Sequence, residues 1–463
     1  MKRAAFYTLG CKVNQYETEA MAELFKKAGY EICRYEEFAD IYIINTCSVT
    51  GMSDRKSRQI IRRAKKQNPD AVVVAVGCYV QNDVRAVETD PYIDLAIGNN
   101  RKKDLAQILE AYFQNACPQD TVIEIAKTSE YEEMQLKETA EHTRAYIKIQ
   151  DGCNQFCSYC AIPYVRGRVR SRKPEQILEE VRALSESGYR EVVLTGIHIS
   201  SYGLDFMGIQ SADYRDACEK GYLADLIEAL AGIPGIARIR LGSLEPRIVT
   251  EEFAAQISAM PKICPHFHLS LQSGCDETLK RMNRHYDTEQ YAKGVELLRH
   301  YFMNPAITTD IIVGFPGETQ AEFEQSAAFI KQIGFYETHV FKYSKRQGTA
   351  AAKMADQVTE EEKADRSDIL LALNQKNARS YRESFLSREL EILSEEEKVF
   401  SGRRYLVGHT PEYLFAAVEM QQIFAAVGAE SVSAGTMAPN QLIRGRAGRF
   451  MNEDILLLES VQT

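Results

Sequence analysis

The chain has 463 residues, 45% hydrophobic and 26% charged, enough for about three domain cores of roughly 150 residues each. Its 56 Lys and Arg against 65 Asp and Glu give a net charge of −9, which excludes a generally basic nucleic-acid protein but leaves room for a local basic field. No stretch approaches the ~18 consecutive apolar residues of a membrane span, and the start Met1–Phe6 lacks the apolar core of a secretory signal, so a cytoplasmic protein without membrane attachment is expected.

In chain order, Ala4–Tyr7 reads as a strand, followed by a helix with Ala20, Met21, Leu24, Phe25 and Ala28 on one face. Ile41–Ile44 is a second strand, Ser53–Gln67 a basic helix and Val72–Val76 a third strand. This alternation predicts an α/β, doubly wound parallel sheet over residues 1–118. Residues 119–142 are polar and acidic and read as a linker.

From Tyr146 a second alternation begins. Its predicted strands are Tyr146–Ile149, Val192–Leu194, Ala237–Leu241, His266–Leu269, Ile307–Val313 and Thr338–Tyr343, separated by predicted helices. Six such units predict a partial TIM-type (β/α)6 barrel over 143–370, with Gly203–Gly221 as an inserted loop. A charged helix over about Thr359–Ser384 is expected to connect onward, with 371–386 as the connector proper. Residues 387–463, short alternating runs punctuated by glycines, predict a small antiparallel β-barrel.

Eleven cysteines in a chain of this kind point to metal or redox chemistry rather than to a disulfide framework. Cys153, Cys157 and Cys160 form a CxxxCxxC cluster just after a predicted strand. Three thiolates so spaced suit a cubane iron–sulfur cluster with one iron left open to a small molecule. Zinc is the alternative, but structural zinc normally takes four closed ligands, and no fourth Cys or His lies within a few residues. Cys11, Cys47 and Cys78 each fall just past the end of a predicted strand of the first domain, where an open parallel sheet gathers its ligands. A second three-thiolate cluster is the reading there, against three packed cysteines. Cys33, Cys117, Cys218, Cys264 and Cys275 are assigned to packing or surface.

Two basic runs lie downstream of cysteines. One spans Arg55–Lys66 and includes Arg62 and Arg63; the other holds Arg166, Arg168, Arg170, Arg172 and Lys173. Together they predict an anionic substrate, whereas either alone would read as a solvated face. His198 and His268 lie near barrel strand ends, within reach of a substrate there or packed.

The CxxxCxxC motif after the first barrel strand closely resembles the radical S-adenosylmethionine (SAM) family. Supporting stretches are Thr195-Gly196-Ile197, Gly242–Pro246, Ser270–Gly274 and Asp310–Thr319. In that family the open iron holds SAM, whose reductive cleavage yields a 5′-deoxyadenosyl radical. The resemblance implies SAM contacts at Gly196, Ser243, Glu245, Gln272, Gly314 and Pro316. The three-cysteine sheet domain ahead of the barrel resembles the methylthiotransferases, in which a second [4Fe–4S] cluster serves sulfur insertion. Thr8–Thr18, Arg166–Arg172 and Leu194–Ile199 are similar to the branch acting on N6-threonylcarbamoyladenosine of tRNA. Sister branches act on isopentenyladenosine of tRNA or on a ribosomal-protein aspartate. A non-catalytic metal-bearing RNA-binding module is the reading from another class.

The C-terminal stretch Tyr405–Tyr413 resembles the TRAM domain, a small RNA-binding barrel. From Ser387 to Thr463 the chain carries seven basic and eleven acidic residues, so RNA contact there rests on groups such as Arg444 and Arg446. The resemblance as a whole implies two [4Fe–4S] clusters, SAM, a tRNA partner, an electron donor such as flavodoxin or ferredoxin, and a sulfur source.

Overall fold

The computed structural model describes residues 1–116, 120–136, 143–208, 221–427 and 440–462. In the first domain β1 (Arg3–Thr8), β2 (Glu31–Cys33), β3 (Ile41–Thr46), β4 (Val72–Gly77) and β5 (Leu95–Ile97) pair in parallel in the order β2-β1-β3-β4-β5. Both faces of β3 are buried, which is why it reads as a continuous apolar run. Helix α1 (Lys12–Lys27) packs Tyr16, Ala20, Met21 and Phe25 on one face of the sheet, while α2 (Gly51–Gln67) packs Ile60, Ile61 and Ala64 on the other. The doubly wound expectation holds. The edge strands β2 and β5 are three residues each, too short to show a period in the sequence.

The second domain is the expected partial barrel. Strands β6 (Arg144–Asp151), β8 (Glu191–Gly196) and β9 (Arg238–Leu241) pair in parallel, with the two-residue β7 (Arg170–Ser171) antiparallel on the edge. Strands β10 (His266–His268), β11 (Ala306–Val313) and β12 (Glu337–Lys342) form a second parallel set. The isolated bridges Ile239–Ile263 and Leu244–Leu269 join the two sets into one wall. Outward residues such as Ile147, Leu194, Ile239, Phe267 and Ile311 pack against the surrounding helices, leaving alternate residues to line the concave side. Residues 209–220, most of the expected inserted loop, lie outside the described residues.

The acidic stretch expected as a linker is not a solvated one in its described part. Ile125, Glu132, Met134 and Leu136 are buried, and Met134 and Leu136 join the core under α1. Its carboxylates face buried cations: Glu133 accepts a bond from Arg172 Nε at 2.8 Å. That is why a polar composition here does not mean exposure. The helix Glu360–Glu383, started by a capping box of Thr359 and Glu362, leads to a closed barrel of β13 (Glu389–Phe400), β14 (Arg403–His409), β15 (Phe415–Glu419), β16 (Leu442–Phe450) and β17 (Leu456–Gln462). It is mostly antiparallel; β15 and β17 run parallel.

The two α/β domains are joined by buried charge. Glu17 of α1 accepts from Lys148 of β6 at 2.7 Å and from Arg166 at 2.7 Å, and also pairs with Lys102. Lys148 reaches Asp151 at 2.7 Å, and Arg166 donates to Asn14 Oδ1 at 2.6 Å. All of these side chains are buried. Burial alone would raise the Glu17 carboxyl, but Arg166, Lys102 and Lys148 hold it well below the usual carboxylate range. Removing Glu17 leaves Lys102 without its carboxylate and Lys148 and Arg166 to share Asp151 alone in the interior. We expect Glu17→Ala to cost about 3–5 kcal/mol, read as a lowered Tm in thermal unfolding. A carboxyl depressed in the folded state stabilises fully above its unfolded pKa of about 4.3, and that contribution is lost as pH falls toward the folded value. Acid unfolding of the native chain below about pH 4 should therefore be steeper than that of Glu17→Ala.

Candidate functional site

Each cysteine of the first triad lies where a parallel strand hands over to a helix. Cys11 caps α1 after β1, Cys47 lies between β3 and α2, and Cys78 opens the short helix α3 (Cys78–Asn82) after β4. The loops are fixed by two buried amides. Asn14 Nδ2 donates to Leu9 O at 2.6 Å and Thr46 O at 3.0 Å, and Asn45 Nδ2 donates to Asn14 O at 2.9 Å. Gly10 sits at φ +100°, and a Cβ there would come within 2.8 Å of Cys47 Sγ, so the approach of the two cysteine loops needs glycine.

Burial pushes the Cys47 thiol up, and Cys78 and Cys11 push it the same way. Cys11 is exposed at its mouth while Cys47 and Cys78 are buried. Asn99 Nδ2 donates to Cys78 Sγ at 3.6 Å. An amide donor aimed at one sulfur, beside cysteines at neighbouring strand–helix junctions, fits an iron–sulfur cluster that would take the thiolates' charge.

The second triad opens off β6. Gly152 at φ +72° starts its loop, where a Cβ would lie 1.8 Å from Arg168 O. Cys153, Cys157 and Cys160 line one cavity of about 200 Å³ together with Gln155, His198, Ser243, Glu245, Ser270, Gln272 and Arg284. Burial first, then the neighbouring thiols, pushes Cys160 up to about 12 and Cys153 higher still. Three donors face these sulfurs: Arg284 Nη1 to Cys157 at 3.2 Å, Ile162 N to Cys160 at 3.4 Å and Gln155 N to Cys153 at 3.5 Å. That donor set again fits a cluster. Two residues of the site hold left-handed backbone without being glycine, Phe156 at φ +50° and Gln272 at φ +70°.

Of the residues tied to SAM by resemblance, Ser243, Glu245 and Gln272 line this cavity. Gly196 lies beside its lining residue Ile197, close against Gln150 O. Gly314 and Pro316 are not among the lining residues. Gly314 N donates to Glu318 at 2.7 Å, and a Cβ on Gly314 would strike Lys363 of the connecting helix, so that loop meets the helix instead. His198 shares a 2.7 Å hydrogen bond with Ser201, and burial, then Arg284 and Arg247, pushes its imidazole down to about 3. It therefore stays neutral at physiological pH, with one ring nitrogen protonated and the other free to accept. Arg284 was not legible in the sequence, because a lone arginine in a loop after a helix has no spacing that marks it.

The basic runs divide. Arg62 and Arg63 are exposed on α2, leaning on Tyr92 and Tyr35. Arg168 is half-buried over Phe156 at 4.5 Å, at the rim of the second triad. Arg166, expected to face an anionic substrate, is instead wholly buried in the ion network with Glu17 and Asp151, and Arg170 and Arg172 are buried as well. Alternating arginines on a loop looked like a surface run, yet the two domains meet over them. On the C-terminal barrel Arg444 is exposed and pairs with Glu391 at 2.9 Å, and exposed Arg446 donates to Ser387 O at 3.0 Å.

That barrel also closes the floor of the central one. Tyr413 stacks on His266 of β10 at 5.0 Å and on His409 at 4.3 Å. Arg240 and Arg144 lie over its ring at 4.7 and 5.0 Å. Arg240 also donates to Pro411 O at 2.8 Å.

Comparison with known proteins agrees with this division. Residues 147–330 match the Radical SAM superfamily, and residues 3–98 match the Uncharacterized protein family UPF0004. The chain is 42% identical over 416 residues to the Threonylcarbamoyladenosine tRNA methylthiotransferase MtaB of Bacillus subtilis (strain 168), covering 89% of this chain and 90% of that one. It is 35% identical over 406 residues to the tRNA-2-methylthio-N(6)-dimethylallyladenosine synthase of Pelotomaculum thermopropionicum, covering 86% and 88%. Among solved structures, the radical S-adenosylmethionine methyltransferase TsrM of Kitasatospora setae aligns with a TM-score of 0.54 at 14% identity, over 74% of this chain and 73% of that one, a likeness of fold.

If each triad holds a cubane, anaerobic reconstitution should give roughly eight irons and eight sulfides per chain, and replacing either triad by alanine should remove about half. Stoichiometric zinc with negligible iron and sulfide would contradict both assignments.

Proposed function

The chain belongs to the radical SAM methylthiotransferases, and from that premise we propose that it converts N6-threonylcarbamoyladenosine next to the tRNA anticodon to its 2-methylthio derivative. The observation that carries the reading is two separate cysteine triads, one per α/β domain, brought together across one buried ion network. One triad alone would suit a radical enzyme that only abstracts hydrogen. A second sulfur-bearing centre is what insertion of sulfur requires. For the nucleoside, the Bacillus relative named for threonylcarbamoyladenosine is 42% identical, and the Pelotomaculum relative named for dimethylallyladenosine 35%.

When bound, the two clusters and SAM supply a carbon radical able to attack an unactivated aryl C–H, together with the sulfur and the methyl group. The chain's own residues hold and shield that chemistry. Cys153, Cys157 and Cys160 would ligate the cluster that meets SAM, and Cys11, Cys47 and Cys78 the other. Arg284, half-buried, places a cation against the Cys157 sulfur and would compensate charge there. Ser243 and Ser270, hydrogen-bonded to each other at 2.8 Å, face the same cavity with Gln272 and offer polar groups to a zwitterionic cofactor. The Tyr413 stack closes the barrel floor against water, which a reactive radical demands. This reading also needs an electron donor of the flavodoxin or ferredoxin type and a sulfur source.

Mass spectrometry of tRNA nucleosides from cells with and without the gene tests the reading. The 2-methylthio form of threonylcarbamoyladenosine should vanish in the deletion while other methylthio nucleosides persist. Loss of the dimethylallyl product instead would assign the chain to the sister branch. If exposed α2 meets phosphates, Arg62→Ala with Arg63→Ala should weaken tRNA binding and flatten its salt dependence, with SAM binding unchanged. Equal affinity and salt slope would remove that surface from the account.

A further inference from the structure

The side chains on the inner wall of β10 descend in a fixed order. Phe267, Leu269 and Leu271 turn outward into the helix-covered core, so His266, His268, Ser270 and Gln272 turn inward. Gln272 and Ser270 line the cavity of the second triad, and His266 stacks on the Tyr413 floor. His268 is the step between them, about 7 Å below Ser270 at ~3.3 Å per residue.

Beside it, Asp310 of β11 and His339 of β12 face the same hollow, opposite each other in register. His268 Nε2 lies 3.3 Å from Asp310 Oδ2, and the His268 and His339 rings stack at 5.8 Å. One ligating atom from each of the three falls within 4.8 Å of the others. His268 Nδ1 is fixed by Thr308 Oγ1 at 3.0 Å, which directs Nε2 into the group. His268 and Asp310 are half-buried and His339 is exposed at the open edge of the wall. Nothing in the holding of either cluster or in the packing of the barrel uses this group.

Resting on the reading above, we propose that His268, Asp310 and His339 recognise the N6 substituent of the target base and select one that is polar and hydrogen-bonding. The group lies between the radical source and the barrel floor, the space a base must enter for its C–H to be attacked. His339 donates, and Asp310, held in place by His268, accepts, which matches a threonylcarbamoyl group with its carbonyls, hydroxyl and N–H. A dimethylallyl group would desolvate the same three side chains and give them no partner. A site built to hydrogen-bond a substituent rejects the analogue lacking it far more strongly than an apolar pocket can.

The test uses the reconstituted enzyme and three fluorescent anticodon stem-loops, bearing threonylcarbamoyladenosine, dimethylallyladenosine or unmodified adenosine. Kd is read for each, with KM and kcat for the first. In Asp310→Leu with His339→Leu, the preference for the threonylcarbamoyl loop over the dimethylallyl loop should fall about tenfold or more. Affinity for the unmodified loop should stay the same, and the loss should appear in KM before kcat. His339→Gln, which keeps a donor, should retain most of the preference. An unchanged preference in the double variant overturns the inference alone, provided the native enzyme methylthiolates the threonylcarbamoyl loop. A native enzyme that acts only on the dimethylallyl loop overturns the functional reading first. One equivalent of zinc held by the cluster-loaded native enzyme and lost in the double variant would make the group a metal site, which also overturns it.

Discussion

The structure turns on buried charge between its two α/β domains. Glu17 enters the concave side of the partial barrel on α1 and meets Lys148 and Arg166 there, with Asp151 completing the set. Such a network is a poor source of net stability compared with apolar packing, since each ion must leave water. Its effect is geometric. Lys148 and Asp151 lie on the strand that leads into the Cys153 loop, Arg166 lies just after that loop, and Asn14, bonded to Arg166, fixes the turn carrying Cys11. One set of ions therefore fixes both cysteine triads relative to each other.

The same constraint explains what the sequence showed and what it concealed. The grouping of the cysteines was legible because residue type and strand–helix junctions are both visible in one dimension. The parallel strands were legible because burial on both faces leaves unbroken apolar runs such as Ile41–Ile44. Arg166 misled, since a basic residue on a loop reads as solvated until a second domain covers it. The stretch from Tyr131 to Leu136 misled for the same reason with the opposite charge. Arg284 was invisible: its role comes from a 3.2 Å approach to a cysteine 127 residues away.

The Tyr413 contact links the third domain to the chemistry. Tyr413 was noticed only as part of a barrel motif, yet its ring is held between His266, His409, Arg240 and Arg144. The C-terminal barrel thus covers the end of the central barrel opposite the cysteine loops. Above that floor on the same wall lie the His268–Asp310–His339 group and, higher up, the Ser243–Ser270 pair that lines the second-triad cavity.

A division of duties between the two triads, one on the central barrel and one on the first sheet, carries the proposed chemistry. It is tested most directly by replacing Cys11, Cys47 and Cys78 with alanine and measuring 5′-deoxyadenosine and methylthiolated nucleoside in the same anaerobic reaction. The account predicts continued formation of 5′-deoxyadenosine with no methylthio product. Methylthiolated tRNA from that variant would contradict it and return those three cysteines to packing.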